Sequence, residues 1–350
     1  MSTRYPYIVA EIGGNHNGDI ELGKQMIRSA KECGADAVKF QFYRRCDLWT
    51  EDHLKELNDG VVKLENVSNW STKELGLQNI FDQVDRFAVQ EEAHIEFFNC
   101  ARECGIDYGT SAFTKKDVDF CVDQKVANLK VASCDVTNLD LIEYVISKDY
   151  PTHIALGMAS LAEIEAIVNL IPDRCRHNVT LLHCVSLYPP KDEYVNLQFM
   201  ETLRRNFGMA VGYSDHTLGY EIPLAAAALG ATVIEKHFTL DKEMPGWDHK
   251  VSANPAEMRI ICSASKRITD SLGDGIKRVS ADEIAKQKKF RRSITTANAL
   301  KAGQEITYDD ILFKRPGTGI CADRYKEIIG RHVCRNIEAN KTLFWEDLVK

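Results

Sequence analysis

A chain of 350 residues, 44% hydrophobic and 27% charged, has the composition of a water-soluble globular protein with room for one large domain and one small one. Its formal charge of −7 argues against the concentrated basic face that nucleic acid or a membrane surface requires, and no apolar run reaches the length of a transmembrane helix. The 11 cysteines are scattered without a Cys-x-x-Cys pair, which reads as reduced, mostly buried thiols, and the lack of a signal-peptide pattern makes the cytoplasm the expected location.

Short apolar runs alternate with longer amphipathic stretches. Strands are expected at residues 7–11 and 37–41, with a helix over 21–33 between them. Residues 44–85 are polar, carry Trp49 and Trp70, and are too long for an ordinary βα connection, so a lid or extra helix on the top face is expected there. Further strands fall at 107–111, 128–132, 153–156, 179–183, 210–213 and 233–237, with a helix at 161–170. Eight strands alternating with helices imply parallel βαβ units closed into an α/β (β/α)8 TIM barrel. An open doubly wound sheet is the competing arrangement, but Gly13-Gly14-Asn15 lacks the spacing of a phosphate-binding turn.

The pattern changes near Gly273. Residues 274–292 are polar and basic-rich and read as a solvated linker helix. A compact tail follows, with short strands expected at 292–297, 300–306 and 311–317. The expected division is a barrel over 1–275, a linker over 276–292 and a small domain over 293–350. Such a tail has a small core and is expected to lean on the barrel or on a second subunit.

In a parallel barrel the chemistry sits where the strands exit. The polar residues there are Glu11, Asn15 and His16; Lys39 and Gln41; Lys130, Ser133 and Asp135; and His183, Ser186 and Tyr188. After them come Ser214, Asp215 and His216; Glu235, Lys236 and His237; and Asp248, His249 and Lys250. One charge inside an apolar strand can be a structural ion pair, but Glu11, Lys39, Lys130 and His237 recur at one face and point to a site. Lys39 and Lys130, with the hydroxyls of Ser133 and Ser214, suit a phosphate and a carboxylate, although either lysine alone could be a barrel salt bridge. His216 and His237, at the ends of adjacent strands, are compatible with an open divalent-metal site or with hydrogen-bonded core histidines.

Several motifs resemble the sialic acid synthase (N-acetylneuraminate or nonulosonate synthase) family. They are Ala10-Glu-Ile-Gly-Gly-Asn-His16, Ala37-Val-Lys-Phe-Gln41, Leu182-His-Cys184 with Tyr188-Pro189, Tyr213-Ser-Asp-His-Thr-Leu218, Glu235-Lys-His-Phe-Thr239 and Pro245-Gly-Trp-Asp-His-Lys250. Lys314-Arg-Pro-Gly-Thr-Gly319 resembles the antifreeze-like (SAF, β-clip) domain carried by these synthases. The resemblance implies condensation of phosphoenolpyruvate with a sugar aldehyde, typically N-acetylmannosamine, with C–O cleavage releasing phosphate. It implies manganese or magnesium on His216 and His237. It places phosphoenolpyruvate on Lys39, Lys130, Ser133, Ser186, Tyr188 and Ser214. It puts Glu11 beside the reacting carbons, Asp248 on acceptor hydroxyls, and Arg315 on the acceptor's N-acyl group in the partner subunit's barrel, hence a domain-swapped homodimer.

Five positions depart from the family pattern. Ala155-Leu-Gly-Met158 replaces a frequent Ser-Thr-Gly-Met, Asp135 stands for a usual Glu, Ser186 for a common Asn, and Trp247 for a frequent Pro. Asp135 and Trp247 are expected near the acceptor, so they point to a legionaminate-type, pseudaminate-type or deaminated product as the alternative. A different aldolase or phosphorylated-sugar synthase on the same barrel, and a non-catalytic sugar-binding protein, are the competing classes.

Overall fold

The computed structural model describes residues 5–59 and 80–349. The chain forms two compact units, Met1–Gly273 and Asp274–Lys350. In the first, eight parallel strands close into one barrel. They are β1 (Tyr7–Glu11), β2 (Ala37–Phe42), β3 (Asp107–Ala112), β4 (Asn128–Val131), β5 (Thr152–Ala155), β6 (Val179–Cys184), β7 (Ala210–Asp215) and β8 (Val233–His237). Closure comes from β1 pairing with β8 along its whole length, Glu11 opposite His237. That excludes the open doubly wound sheet.

The first crossover helix shows why the elements form where they do. Ile20–Cys33 starts at Asp19, whose carboxylate accepts the Leu22 N–H at 3.1 Å. It buries Met26, Ile27, Ala30 and Cys33, the three-and-four spacing of one helical stripe. Burying Met26 and Ile27 stabilises by about 1.5–3 kcal/mol each. The helix stops at Gly34, whose φ of 92° is left-handed and whose N–H reaches back to Ala30 and Lys31.

Around β2 and β3 the wall is aromatic. Phe40 stacks on Phe97 at 4.4 Å, and His94 meets Phe42 edge-on at 4.4 Å. His94 Nδ1 lies 2.5 Å from the Tyr108 hydroxyl. Burial lowers the pKa of His94 to about 3 and that of His16 to about 4. Both therefore bind protons more readily in the unfolded chain, whose histidines titrate near 6.5. The stability they contribute is complete above that pH and is lost as pH falls toward about 4, by about 2 kcal/mol each at pH 5. The thermal midpoint is expected to drop between pH 7 and pH 5, and His94→Gln to make that drop smaller.

The polar stretch after β2 contains the helices Arg45–Leu48, Glu51–Asn58 and Ile80–Phe87. Trp70 lies outside the described residues.

The second unit has its own core of ten aliphatic residues, including Ile294, Ile306, Ile311, Val333 and Leu343. Its helix Ala281–Phe290 begins with a Ser280/Glu283 capping box and buries no side chain, as its solvated composition predicts. Of the three expected tail strands, β9 (Ser293–Thr296) and β10 (Ile311–Lys314) form one antiparallel pair. Residues 300–306 do not form a strand. Leu300 and Glu305 make only single bridges, to Ile337 and His332. The turn Gly303-Gln304, held by Lys301 and Val333, interrupts any longer ladder there.

Candidate active site

Strand register assembles the site. Along β1, β2 and β8, Glu11 sits beside Lys39 on one side and His237 on the other. Ser111 pairs with Lys130, and Ser214 with Glu235. Side chains alternate along a strand, so Lys39 and Gln41, and Glu235 and His237, share the interior face. Together they line a cavity of about 410 Å³ at the strand exits.

The floor of this cavity holds two acids and two lysines, all 1–6% exposed. Lys39 pairs with Glu11 and donates to Ser111 Oγ at 3.2 Å. Lys130 pairs with Glu235 and donates to Ser214 Oγ at 3.3 Å. Glu235 also lies 4.0 Å from Lys39, and Gln41 donates to Glu11 at 3.0 Å. Burial raises the pKa of Glu11, although Lys39 opposes the rise. Burial acts on Glu235 in the same sense, but Lys130 and Lys39 overcome it and hold that carboxyl well below its ordinary range. Glu235 is thus held ionised, while Glu11 takes up a proton more readily than an ordinary carboxyl.

Two imidazoles stand above the floor. The centroids of His216 and His237 are 5.4 Å apart, and Tyr188 stacks on His216 at 3.9 Å. His216 Nδ1 lies 2.9 Å from the Val185 carbonyl, which can only accept, so Nδ1 carries the proton and Nε2 the lone pair. Burial lowers the pKa of His237, and His216 lowers it further. Burial opposes charge on His216 too, but the Cys184 thiol and the Val185 carbonyl outweigh it and raise that pKa. Asp248 Oδ2 lies 3.8 Å from His237 Nδ1, and burial raises the Asp248 pKa to about 6.

This donor set fits a divalent cation. The buried His237 Nδ1 has no hydrogen-bond partner among the described residues, and in its neutral form His216, with Nδ1–H on the Val185 carbonyl, would offer Nε2 as a donor to a metal. No group of three or more His, Cys, Asp or Glu is arranged to hold a metal among the described residues. Two protein donors would leave the other positions to water or substrate.

Ser133, Ser186 and Tyr188 line the same cavity. Ser133 Oγ accepts the Gly157 N–H at 3.1 Å, while Ser186 Oγ and Glu235 Oε2 have no partner among the described residues. Asp135 is not among the lining residues. Its carboxylate accepts from Asn138 at 3.0 Å in the turn before helix Leu139–Ser147. Arg315 belongs to the second unit, where it donates to the Phe290 carbonyl at 3.1 Å and lies over the Phe290 ring.

Sequence reasoning placed Gln41 and Glu235 at strand exits but assigned them no role, and it passed over Ser111. The period-two pattern makes Gln41 and Glu235 interior neighbours of Lys39 and His237, so that signal was available. The aromatic mouth was not legible in the same way. Tyr43, Trp49 and Phe113 pack edge to face at 5.6 and 6.0 Å, and Trp247 meets Phe87 at 4.9 Å.

Comparison with known proteins gives the same outline. Residues 26–277 match the NeuB family and residues 291–349 the SAF domain. The chain is 36% identical over 346 residues to the N,N'-diacetyllegionaminic acid synthase of Legionella pneumophila, covering 98% of this chain and 94% of that one. It is 30% identical over 344 residues to the pseudaminic acid synthase of Helicobacter pylori, covering 98% of each. The crystal structure of an N-acetylneuraminic acid (sialic acid) synthetase from Leptospira borgpetersenii serovar Hardjo-bovis aligns with a TM-score of 0.66 at 31% identity. That alignment covers 81% of this chain and 90% of that chain.

Proposed function

The chain belongs to the NeuB family of nonulosonic acid synthases and carries a SAF domain, and from that premise we propose that it condenses phosphoenolpyruvate with an uncharged N-acylated aldose and water. The products are a nonulosonic acid and inorganic phosphate, released by C–O cleavage. The observation that carries this reading is the buried floor in which Lys39 and Lys130 face Glu11 and Glu235 below two imidazoles. Two ammonium groups in a dry site offset a substrate that brings both a phosphate and a carboxylate.

In this mechanism Lys39 and Lys130 hold the anionic groups of phosphoenolpyruvate, with hydroxyls from Ser133, Ser186, Ser214 and Tyr188 filling the remaining acceptor sites. His216 and His237 would hold manganese or magnesium, which when bound draws electron density from the acceptor's carbonyl oxygen. The enol carbon bonds to the aldehyde carbon, and positive charge develops at the phosphate-bearing carbon. Glu11 stabilises that charge and takes a proton from the water that adds there. The tetrahedral adduct then expels phosphate. Asp248, beside His237, orients acceptor hydroxyls.

Acceptor chemistry follows from the mouth. Trp49, Trp247, Tyr43 and Phe113 present ring faces and edges, and the exposed Met158 adds a thioether. Such a collar favours methyl, deoxy and N-acyl substituents over a phosphate. Lys39 and Lys130 are the only Lys or Arg residues among the described cavity lining, and both serve the floor. A di-N-acylated 6-deoxyhexose of the legionaminate type is therefore preferred to N-acetylmannosamine. The same reading makes the working unit a domain-swapped homodimer in which Arg315 contacts the N-acyl group in the partner's barrel.

The test is phosphate release from phosphoenolpyruvate and manganese with N-acetylmannosamine, mannose, or di-N-acetylated 6-deoxyhexoses. Release is expected to be fastest with the last. No release with any unphosphorylated aldose would overturn the proposal. A second expectation concerns Gly157. A Cβ there would clash with the Ser186 hydroxyl and come within 2.7 Å of Ser133 Oγ. Gly157→Ala should raise KM for phosphoenolpyruvate by about tenfold or more by displacing both hydroxyls.

A further inference from the structure

We infer that Lys236 and Asp215, which lie on the outer side of the barrel wall and do not line the cavity, form a clamp that positions the two imidazoles, so that they act as positioning residues for metal binding. The inference rests on the reading of His216 and His237 as the metal-holding pair.

Side chains alternate along β8. Glu235 and His237 line the cavity, so Lys236, between them, points away from it. An ammonium there meets helix-facing apolar surface, yet the side chains of Lys236 and Asp215 are both 0% exposed. A charge so completely removed from water needs paired acceptors. Lys236 Nζ has two, Asp215 Oδ2 at 2.6 Å and the Thr217 carbonyl. These acceptors flank His216 in sequence. The Asp215 carboxylate also accepts the Thr217 N–H at 3.1 Å and the Thr217 hydroxyl at 2.9 Å. Residues 215 and 217 are thus tied together behind the wall, and the residue between them is turned inward.

The ladder explains why a clamp is needed. Pairing between β7 and β8 ends at Asp215 opposite Lys236, one residue short of both imidazoles. His216 has no ladder partner across β8, so its backbone is set by the 215–217 turn instead. Lys236 is covalently joined to His237 and hydrogen-bonded on both sides of His216. One ammonium therefore fixes the separation of the two rings. A pair needed only for stability could sit anywhere on the barrel wall; this one brackets both metal-holding residues.

The test uses the full-length protein and manganese alone. Manganese affinity is read by electron paramagnetic resonance, phosphoenolpyruvate affinity by titration without metal, and folding by circular dichroism. A fourth readout needs no metal: the exchange-protected imidazole proton of His216 Nδ1, bonded to Val185, in a nitrogen-15 spectrum. Asp215→Asn keeps the shape and removes the charge. Thr217→Val keeps the ion pair and removes the hydroxyl's hold on Asp215, so it remains informative if Asp215→Asn does not fold. Both are expected to weaken manganese binding by about tenfold or more and to lose protection of the His216 proton, with phosphoenolpyruvate affinity unchanged. A folded variant with a lowered thermal midpoint but wild-type manganese affinity and His216 protection would overturn the clamp. Failure of the wild-type protein to bind manganese would instead overturn the metal reading, and the His216 proton would still decide whether the clamp orients that ring.

Discussion

Replacing Glu11 with glutamine is expected to lower kcat by about 10²–10⁴-fold while leaving KM for phosphoenolpyruvate nearly unchanged. Glutamine keeps the volume and one carbonyl oxygen, which can still accept from Gln41, but it cannot take a proton from water. Glu11 is 1% exposed and is set between Lys39 and His237 by strand register; the substitution also takes the carboxylate partner from Lys39, so a lowered thermal midpoint is expected beside the kinetic loss. A loss confined to kcat marks an interaction made only in the transition state. The pH profile supplies the second check. Burial raises the Glu11 pKa, so the base becomes competent only above the ordinary carboxylate range. The acid limb of wild-type activity should lie correspondingly high, and the variant should lack it. An unchanged kcat would remove Glu11 from the chemistry.

Replacing Lys130 with methionine should have two separable effects. The first is on folding. Lys130 is 6% exposed and paired with Glu235, and removing one partner of a buried pair costs about 3–5 kcal/mol. Lys39, 4.0 Å from Glu235, offsets part of that loss. The second is on binding. Losing one charge-assisted contact of about 1.5–3 kcal/mol should weaken phosphoenolpyruvate by about 10–100-fold. The double variant Lys130→Met/Glu235→Gln separates the two. It should recover most of the thermal midpoint, because no unpaired carboxylate remains, and none of the phosphoenolpyruvate affinity. Recovery of both would make Lys130 a purely structural cation.

The interior residues of the floor were largely readable in advance because they follow local rules. Glu11, Lys39, Lys130 and His237 interrupt apolar strands, and an interrupted strand is visible in any short window. Asp135 shows the limit of that reading. It follows the strand exit as the others do, but a side chain in a short loop can turn to its own helix start, and Asn138 draws it there. Residues 300–306 fail as a strand for a related reason. Their alternation suits a ladder, yet the Gly303 turn, with φ of 82°, leaves room for isolated bridges alone.

By itself the sequence determined the eight alternating strands and helices, the barrel they imply, the face on which the polar residues emerge, and the presence of a small second unit. Periodicity, capping and turn chemistry act over a few residues, so they are written in the order of the chain. Only the tertiary structure decided which lysine meets which carboxylate, how an aromatic mouth forms from Tyr43, Trp49, Phe113 and Trp247, and why Lys236 and Asp215 are buried together behind the imidazoles. Barrel closure sets Glu11 beside His237 through lateral register and brings Lys130 on β4 across the interior to Glu235 on β8, partners more than a hundred residues apart, and no local pattern carries either arrangement.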